Sequence, residues 1–452
     1  MARESMYVSV DVGTTKVTTL AGLAHLSGQV EVVGAGVVPS AGVAKGAVVN
    51  IPEAQEAIQA SLEEAARSAG QAIRQVYVTV TGAHLEFTTR WGSVRSPHYA
   101  LPITHGEVDR AVEVAYPDDI DTDRHVLHLV PRSFSVDGLK GVRNPIGMHA
   151  QRLDVETLCV SASSAPIRNL VKAVEHSRVR VAGLIMSGLA AGESVLTRDE
   201  REMGVLLIEL GGGVTAVSVF QQDALAIADV LPVGGFNCTN DLAVALNAPF
   251  EIAEEMKLEY GDLALDPTRN DGIEVQAFGD AAGTRIERRE FCRYLRERTE
   301  EILRLAYLKI RTLGYPNIPP AGVVLTGGVA NAPGIQALAR RLYTAPIRIG
   351  VPHSLPGMDE GLTDACYASS LGSLLWAARN TSSPVQKQLR LPKIPFRIER
   401  RAQASDEMVA TPVGGANGRA NGHEPENRPS RGAEVQAKAV AWLKERARRV
   451  AL

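Results

Sequence analysis

From residue 6 to about residue 380, short runs rich in Val, Ile and Leu alternate with longer Ala- and Leu-rich stretches whose apolar positions recur every three to four residues. That alternation predicts an α/β fold. Strands are expected at Tyr7–Val10, Val17–Leu23, Val30–Val37, Val76–Thr81, Val205–Leu210, Thr215–Gln221 and Val323–Thr326. Helices are expected at Pro52–Ala69, Glu107–Ala115, Ser164–Glu175, Asn240–Leu246, Pro249–Tyr260, Arg288–Leu313, Gly334–Tyr343 and Tyr367–Ala378. The 288–313 stretch is the longest and carries its charges along one side, as an amphipathic surface helix does.

The texture changes at Thr381. Residues 381–432 are rich in Pro, Gly, Asn, Arg and Glu, have no periodicity and read as a flexible linker. Helical patterning returns over 433–452. On a wheel of ~100° per residue, Val435, Val440, Trp442, Leu443 and Val450 share an arc of about 160° with Ala439 and Ala447. Lys438, Lys444, Arg448 and Arg449 occupy the remainder, and Arg446 intrudes near the apolar centre, from which a long side chain can snorkel. A basic amphipathic helix bearing Trp reads as an interfacial membrane anchor; packing on the body or on a partner is the alternative. One such Ala-rich helix binds weakly, so stable attachment calls for several copies at once.

Composition then divides the chain electrostatically. The 452 residues hold 48 Lys+Arg and 51 Asp+Glu, a net charge of −3. The final segment alone carries about +3, which leaves the preceding 432 residues near −6. Such a body gives no reason to expect a nucleic-acid partner. Its length suggests two to four domains. Cys159, Cys238, Cys292 and Cys366 are scattered singly with no CxxC pair, which fits a reducing cytosol and argues against a disulfide framework or thiolate metal site. The N-terminus has no signal-peptide core, and no apolar run approaches the ~20 residues that span a bilayer. The expected location is the cytoplasmic face of a membrane, reached peripherally.

One internal repeat carries the candidate chemistry. VSVDVGTTKVTTL (8–20) and LIELGGGVTAVSV (207–219) share the order strand, acid, apolar residue, glycine, small residues, strand. Asp11 aligns with Glu209 and Gly13 with Gly211, so each copy reads as a tight hairpin opening one half of the molecule. A glycine turn offers backbone N–H groups to an anion because no Cβ obstructs the approach. Thr14, Thr15 and Thr215 add hydroxyl donors and Lys16 a positive charge, while Asp11 and Glu209 at the strand ends could hold a hydrated Mg²⁺. A third glycine turn, VVLTGGVANAPGI (323–335), follows a buried-looking strand, and Gly327 and Gly328 would let backbone lie against a ring or phosphate. In AEEMKLEYG (253–261), Glu254 and Lys257 lie at i, i+3 on one helix face and could hydrogen-bond ribose hydroxyls. Alone, the third turn is equally a strand-to-helix connection and the Glu–Lys pair a surface ion pair.

In this order the pieces resemble the actin/Hsp70/sugar-kinase ATPase superfamily, in which two phosphate hairpins, a ribose-contacting helix and an adenosine-side glycine turn surround one nucleotide. The stretches VYVTVTGAHLEFTTRWGSV, ITHGEVDRAVEVA and HVLHLVPRSFSVDGLKGVRNPIGMHAQRLDVE, with LTRDEREMGVLLIELGGG and LPVGGFNCTNDLAVAL, are similar to the FtsA family of bacterial cell-division proteins over about residues 6–380. The resemblance implies an actin-like ATPase fold, two duplicated halves around a nucleotide cleft, with an inserted SHS2-type 1C subdomain. The implied boundaries are 1–83 for subdomain 1A, 84–165 for 1C and 166–204 for the rest of 1A. Residues 205–245 begin 2A, 246–315 form 2B and 316–380 complete 2A and return to 1A.

The ligands implied are ATP and Mg²⁺. Asp11, Gly13, Thr14, Thr15, Lys16, Glu209, Gly211, Gly212, Gly213, Thr215, Gly235, Glu254, Lys257, Gly327, Gly328 and Asn331 would surround the nucleotide, with Asp11 and Glu209 reaching the metal through water. The partners implied are the FtsZ C-terminal peptide at the 250–315 region, where Arg298 falls at a family arginine, other copies of the chain in a filament, anionic lipid, and other division proteins through 1C. The expected function is to polymerise on the cytoplasmic membrane at the division septum and anchor the FtsZ ring. Two departures stand out. The family's second phosphate motif usually has Asp where this chain has Glu209, and Val214 and Ala216 replace a hydroxyl and a second carboxylate. Ser187 and Gly188 stand where Hsp70-like ATPases carry Glu-Pro, which leaves no residue to orient an attacking water, so nucleotide binding with slow or negligible hydrolysis is expected. The competing readings are a PilM-like pilus-assembly ATPase and a sugar or acetate kinase; an MreB-like protein would carry its insertion elsewhere.

Overall fold

The computed structural model describes residues 5–95, 102–117, 120–264, 271–275, 278 and 284–380. The linker 381–432 and the amphipathic segment with Val435, Val440, Trp442, Leu443, Lys444, Arg448, Arg449 and Val450 lie outside the described residues.

Three antiparallel strands, β1 (Ser5–Val12), β2 (Lys16–Ala24) and β3 (Val30–Pro39), open the chain. Two-residue strands β4 (Val43–Ala44) and β5 (Ala47–Val48) lead to α1 (Ile51–Ala69). Asn50 starts that helix by accepting a hydrogen bond from the Glu53 N–H, and Gly70 ends it in the left-handed region at φ 63°. Ala54, Ala57, Ile58, Ser61, Leu62 and Ala65 form its buried face against the sheet. Next, β6 (Gln75–Val80) runs parallel to β1.

An inserted module follows: β7 (Leu85–Arg95), α2 (His105–Val114), β8 (Arg124–Val136), β9 (Leu139–Val142) and β10 (Arg152–Ser163). Its sheet has the order β7-β10-β8-β9 and packs α2 over a separate core that includes Ile103, Ala111, Val112, Leu129, Val155 and Cys159. The chain returns through α3 (Ser164–Glu175) to β11 (Arg180–Met186), which runs parallel to β6, and continues into α4 (Ser187–Val195) and α5 (Arg198–Met203).

The second half repeats the plan of the first. β12 (Val205–Leu210), β13 (Thr215–Gln221) and β14 (Ala224–Leu231) are antiparallel. Helices α6 (Gly235–Ala245) and α7 (Phe250–Tyr260), a short hairpin of β15 (Gly272–Val275) and β16 (Thr284–Glu287), and α8 (Arg288–Thr312) precede β17 (Val323–Thr326). Then come α9 (Ile335–Leu342), β18 (Ile347–Ile349) and α10 (Ala368–Asn380). The two large sheets read β3-β2-β1-β6-β11 and β14-β13-β12-β17-β18, with the same succession of antiparallel and parallel pairings. The duplication read from the two hairpins thus extends through five strands of each half. Finally, α10 packs on α4 and β1, so the last described helix belongs to the first half.

The insert's strands and α4 and α5 were not among the expected elements. Many β7 positions alternate between exposed and half-buried residues, which weakens the apolar pattern on which a sequence reading depends. Helix α6 begins at Gly235, ahead of the expected Asn240, because the Asn237 side chain accepts from the Gly234 N–H and secures the first turn.

Candidate functional site

The two hairpin turns face each other across a cavity of about 490 Å³ between the halves. Each turn is closed by the same backbone bond, Gly13 N–H to Lys16 O and Gly211 N–H to Val214 O, both 3.0 Å. Their contact is tight. A Cβ on Gly212 would lie 2.7 Å from the Thr15 methyl, and one on Gly213 would lie 2.6 Å from the Thr14 hydroxyl oxygen. A side chain on either glycine would press on Thr14 or Thr15 of the opposite half. Helix α6 packs its first turn on the second hairpin, with Gly235 N–H donating to Gly211 O at 2.9 Å and Phe236 N–H to Gly212 O at 2.8 Å.

The two acids occupy equivalent positions in different environments. Asp11 Oδ2 accepts from the hydroxyls of Ser369 and Ser370, each at 2.7 Å, both carried by the first turn of α10. Glu209 lines the cavity, yet its Oε2 is closed to solvent and has no hydrogen-bond partner. Burial, reinforced by the charge of Asp11, pushes the Glu209 carboxyl up to about 7, and the Ser187 and Ser369 hydroxyls only partly oppose this. One carboxyl is thus satisfied by two serine hydroxyls, and the other has a buried oxygen without a hydrogen-bond partner.

Lys16 also lines the cavity, at the start of β2. Its Nζ lies 2.7 Å from Cys366 Sγ and 3.4 Å from the centre of the Tyr367 ring. Burial disfavours the charged amine, but Cys366, Tyr367 and Asp364 outweigh it and hold the pKa above the ordinary lysine value. Deeper in the second half, Lys257 Nζ donates to Glu254 Oε2 at 2.7 Å, Thr239 Oγ1 at 2.8 Å and Gly235 O at 3.3 Å, and the Thr239 hydroxyl also bonds Glu254. The pair expected on one face of α7 is therefore a partly buried network at the cavity wall.

Most of the candidate residues converge. Asp11, Gly13, Thr14, Thr15, Lys16, Glu209, Gly211, Gly212, Gly213, Gly235, Glu254, Lys257, Gly327, Gly328 and Asn331 all line the one cavity. Asn331 Nδ2 is tied to Asp364 Oδ1 at 2.6 Å. Thr215 is fully buried with its hydroxyl donating to Val233 O at 2.9 Å, and it is not part of the lining. Arg298 lies on α8, where it donates to both oxygens of Asp241, at 2.6 and 3.0 Å, and to Glu301 at 2.5 Å. Sequence reasoning missed Ser369, Ser370, Cys366 and the apolar wall of Phe236, Phe250, Leu258 and Leu263. The paired serines were visible as a motif, but nothing in it points to an acid some 358 residues away.

A phosphate-rich ligand with a cation fits these residues. The glycine turns line the cavity with backbone, and the carboxyls of Asp11 and Glu209 beside them are of a kind suited to a hard cation or its waters. The apolar wall and the Glu254–Lys257 network suit the base and sugar of a nucleotide.

Comparison with known proteins gives the family of the chain. Residues 206–372 match the family described as cell division protein FtsA, and residues 82–161 match the SHS2 domain inserted in FtsA. The chain is similar to cell division protein FtsA of Pseudomonas aeruginosa, with 34% identity over 378 residues, covering 83% of this chain and 90% of that one. It is 31% identical to FtsA of Bacillus subtilis, covering 84% and 85% of the two chains, and 30% identical to FtsA of Escherichia coli, covering 85% and 94%. Among solved structures, the PilM–PilN type IV pilus biogenesis complex shares the fold, with a TM-score of 0.60 at 14% identity over 82% of this chain and 98% of that one.

Proposed function

The chain belongs to the FtsA family of cell-division proteins, and from that premise we propose that it binds ATP with Mg²⁺ between its halves and assembles at the division septum. On this reading, filaments of the chain lie on the cytoplasmic face of the membrane, hold the FtsZ C-terminal peptide and recruit further division proteins through the insert. The observation that carries the nucleotide assignment is the pair of facing glycine turns with Asp11 and Glu209 at their roots. Bound ATP would supply a polyanion spanning both halves, whose charge the metal partly neutralises. The residues of this chain do the positioning. The turns at 13–16 and 211–214 offer backbone donors, and Ser369 and Ser370 orient Asp11. Glu254 and Lys257 hold each other ready for a sugar.

Hydrolysis is expected to be slow. Ser187 is a weak substitute for a carboxylate base, and Asp364, the further acid near Lys16, is already engaged by Asn331 and the Cys366 N–H. The site is suited to a binding switch. Among the described residues no helix is long and apolar enough to cross a membrane, so attachment is assigned to the basic amphipathic segment 433–452. Arg298, already paired with Asp241 and Glu301, would contribute to an acidic peptide's site only by exchanging those partners.

Liposome co-sedimentation of the full-length chain with ATP, beside a chain ending at Arg379, tests the anchoring. Full-length protein should pellet with anionic vesicles and the shortened chain should stay in solution; equal pelleting overturns the anchor. Adding an FtsZ C-terminal peptide should give saturable binding to both forms, and no binding to either would remove the FtsZ assignment.

A further inference from the structure

Cys366 differs from the other three cysteines. Cys159, Cys238 and Cys292 are fully buried, whereas Cys366 is partly exposed at the cavity wall. Its Sγ stands 2.7 Å from Lys16 Nζ, a residue 350 positions away in the chain. Both are firmly placed. Lys16 opens β2 in register with Pro39 and is capped by the Tyr367 ring. Cys366 sits in a 3-10 turn where its N–H donates to Asp364 Oδ1 at 2.8 Å, and Asp364 is in turn held by Asn331. An amine and a thiol are thus fixed in contact on the wall of a cleft that small oxidants can enter.

We propose that Lys16 and Cys366 are a modification site at which sustained peroxide forms a reversible covalent Nζ–O–Sγ bridge. A direct sulfur–nitrogen bond would have to draw two well-anchored backbones together, whereas one oxygen atom between them fits the existing separation. The oxidant is hydrogen peroxide. One peroxide oxidises the thiol to a sulfenic acid with loss of water. A second oxidises the amine nitrogen to a hydroxylamine with loss of water, and the two hydroxyl groups condense with loss of a third. Overall, one ammonium, one thiol and two peroxides give the bridge, three waters and one proton. Sulfur and nitrogen each give up two electrons. Two equivalents of a dithiol return the four electrons and restore the amine, the thiol and one water.

At rest the pair is an ammonium and a thiol, because burial pushes the Cys366 thiol up to about 12. The bridge therefore forms slowly and reports prolonged oxidation. It also converts a cation of the cleft wall into a neutral group. If the nucleotide reading holds, phosphate affinity falls in the bridged form; the bridge itself does not depend on that reading.

The test is peptide mass spectrometry on the full-length protein after prolonged exposure to hydrogen peroxide. The expected product joins the peptide containing Lys16 to the peptide containing Cys366, heavier than their sum by about 14 Da for one oxygen gained and two hydrogens lost. It should separate into the two native peptides after dithiothreitol and be absent from Cys366→Ser and Lys16→Arg. A thermal melt of each variant confirms that it is folded. No linked peptide, Cys366 oxidised to sulfinic acid without a link, or a link that persists in folded Cys366→Ser would each overturn the proposal. Binding of a fluorescent ATP analogue before and after peroxide is the separate readout. A bridge formed with unchanged affinity, or with no binding in either state, counts against the nucleotide reading and leaves the chemistry standing.

Discussion

The two phosphate-type hairpins share a backbone and differ in almost every side chain. Asp11 pairs with Thr18 across the first and Glu209 with Ala216 across the second, at equivalent places in equivalent sheets. The first turn is lined by Thr14, Thr15 and a buried Lys16, and its acid is held by two serines. The second has three glycines, an apolar Val214 and an acid with an orphaned oxygen. The duplication therefore fixes where a ligand can lie, while charge and donors are concentrated on one side of it. The first hairpin thus concentrates donors and a cation, and the second is nearly bare of polar side chains.

The largest expected effect comes from the unsatisfied acid. Because the Glu209 pKa is raised from 4.5 to about 7, the folded state keeps a proton that the unfolded chain has released. Its contribution to stability is greatest below pH 4.5, declines between 4.5 and 7, and is lost above 7. That decline amounts to about 3 kcal/mol. Glu209→Gln, which cannot ionise, should remove it, so urea unfolding at pH 5 and pH 8 should show a smaller difference in the variant than in the parent. An equal difference would show that the second acid is better satisfied than its geometry indicates.

Next in size is the other acid. Asp11→Ala leaves Ser369 and Ser370 without their acceptor and removes the carboxylate beside the first turn. Loss of a charge-assisted site of this kind costs about 2 kcal/mol, so ATP affinity measured with Mg²⁺ should fall by tens of fold, and Mg²⁺ should cease to improve it. If Mg²⁺ enhances binding equally in both proteins, the cation does not belong to the first hairpin.

The approach of the two turns can be broken at Gly212. Gly212→Val would press on Thr15 and Thr14 across the cleft. A cost of about 1 to 2 kcal/mol is expected, seen as weaker nucleotide binding with a smaller change in melting temperature. The smallest effect should follow from restoring a donor to the second turn. Val214→Thr adds a hydroxyl at a largely buried position, and titration calorimetry should show ATP affinity changed by less than tenfold, about 1 kcal/mol or under. A larger gain would mean that the asymmetry between the hairpins itself limits binding.

Local signals made the frame of the site legible. Acid, apolar residue and glycine in register announced both hairpins, and the i, i+3 spacing placed Glu254 and Lys257 on one side of α7. The same signals said nothing about what completes each group. Ser369 and Ser370 reach Asp11 only because α10 returns to pack on β1, and Lys16 meets Cys366 through the same closure. Thr215 reads as a cleft donor by position, yet as the first residue of β13 its hydroxyl is drawn to Val233 O. Arg298 is expected at a peptide contact only through its match to a family arginine, and its pairing with Asp241 of α6 is not visible in the sequence. Except for Val233, which closely follows the neighbouring strand β14, the deciding partner lies on an element remote in sequence, where periodicity and spacing carry no information. The insert was recognised by its particular segments, not by its strand pattern, because exposed and half-buried positions of β7 blur the alternation.

The return of α10 to the first half has a mechanical consequence. Its first turn holds Asp11 through Ser369 and Ser370, and its last residue, Asn380, adjoins the segment that leads to the basic tail. The two ends of this 13-residue helix are about 18 Å apart. A load applied through the tail is delivered along the helix axis to the acid at the root of the first hairpin. If the tail attaches the chain to a membrane and the cleft holds the nucleotide, as proposed, the two are in series, and tension at the tail would be felt where the ligand binds.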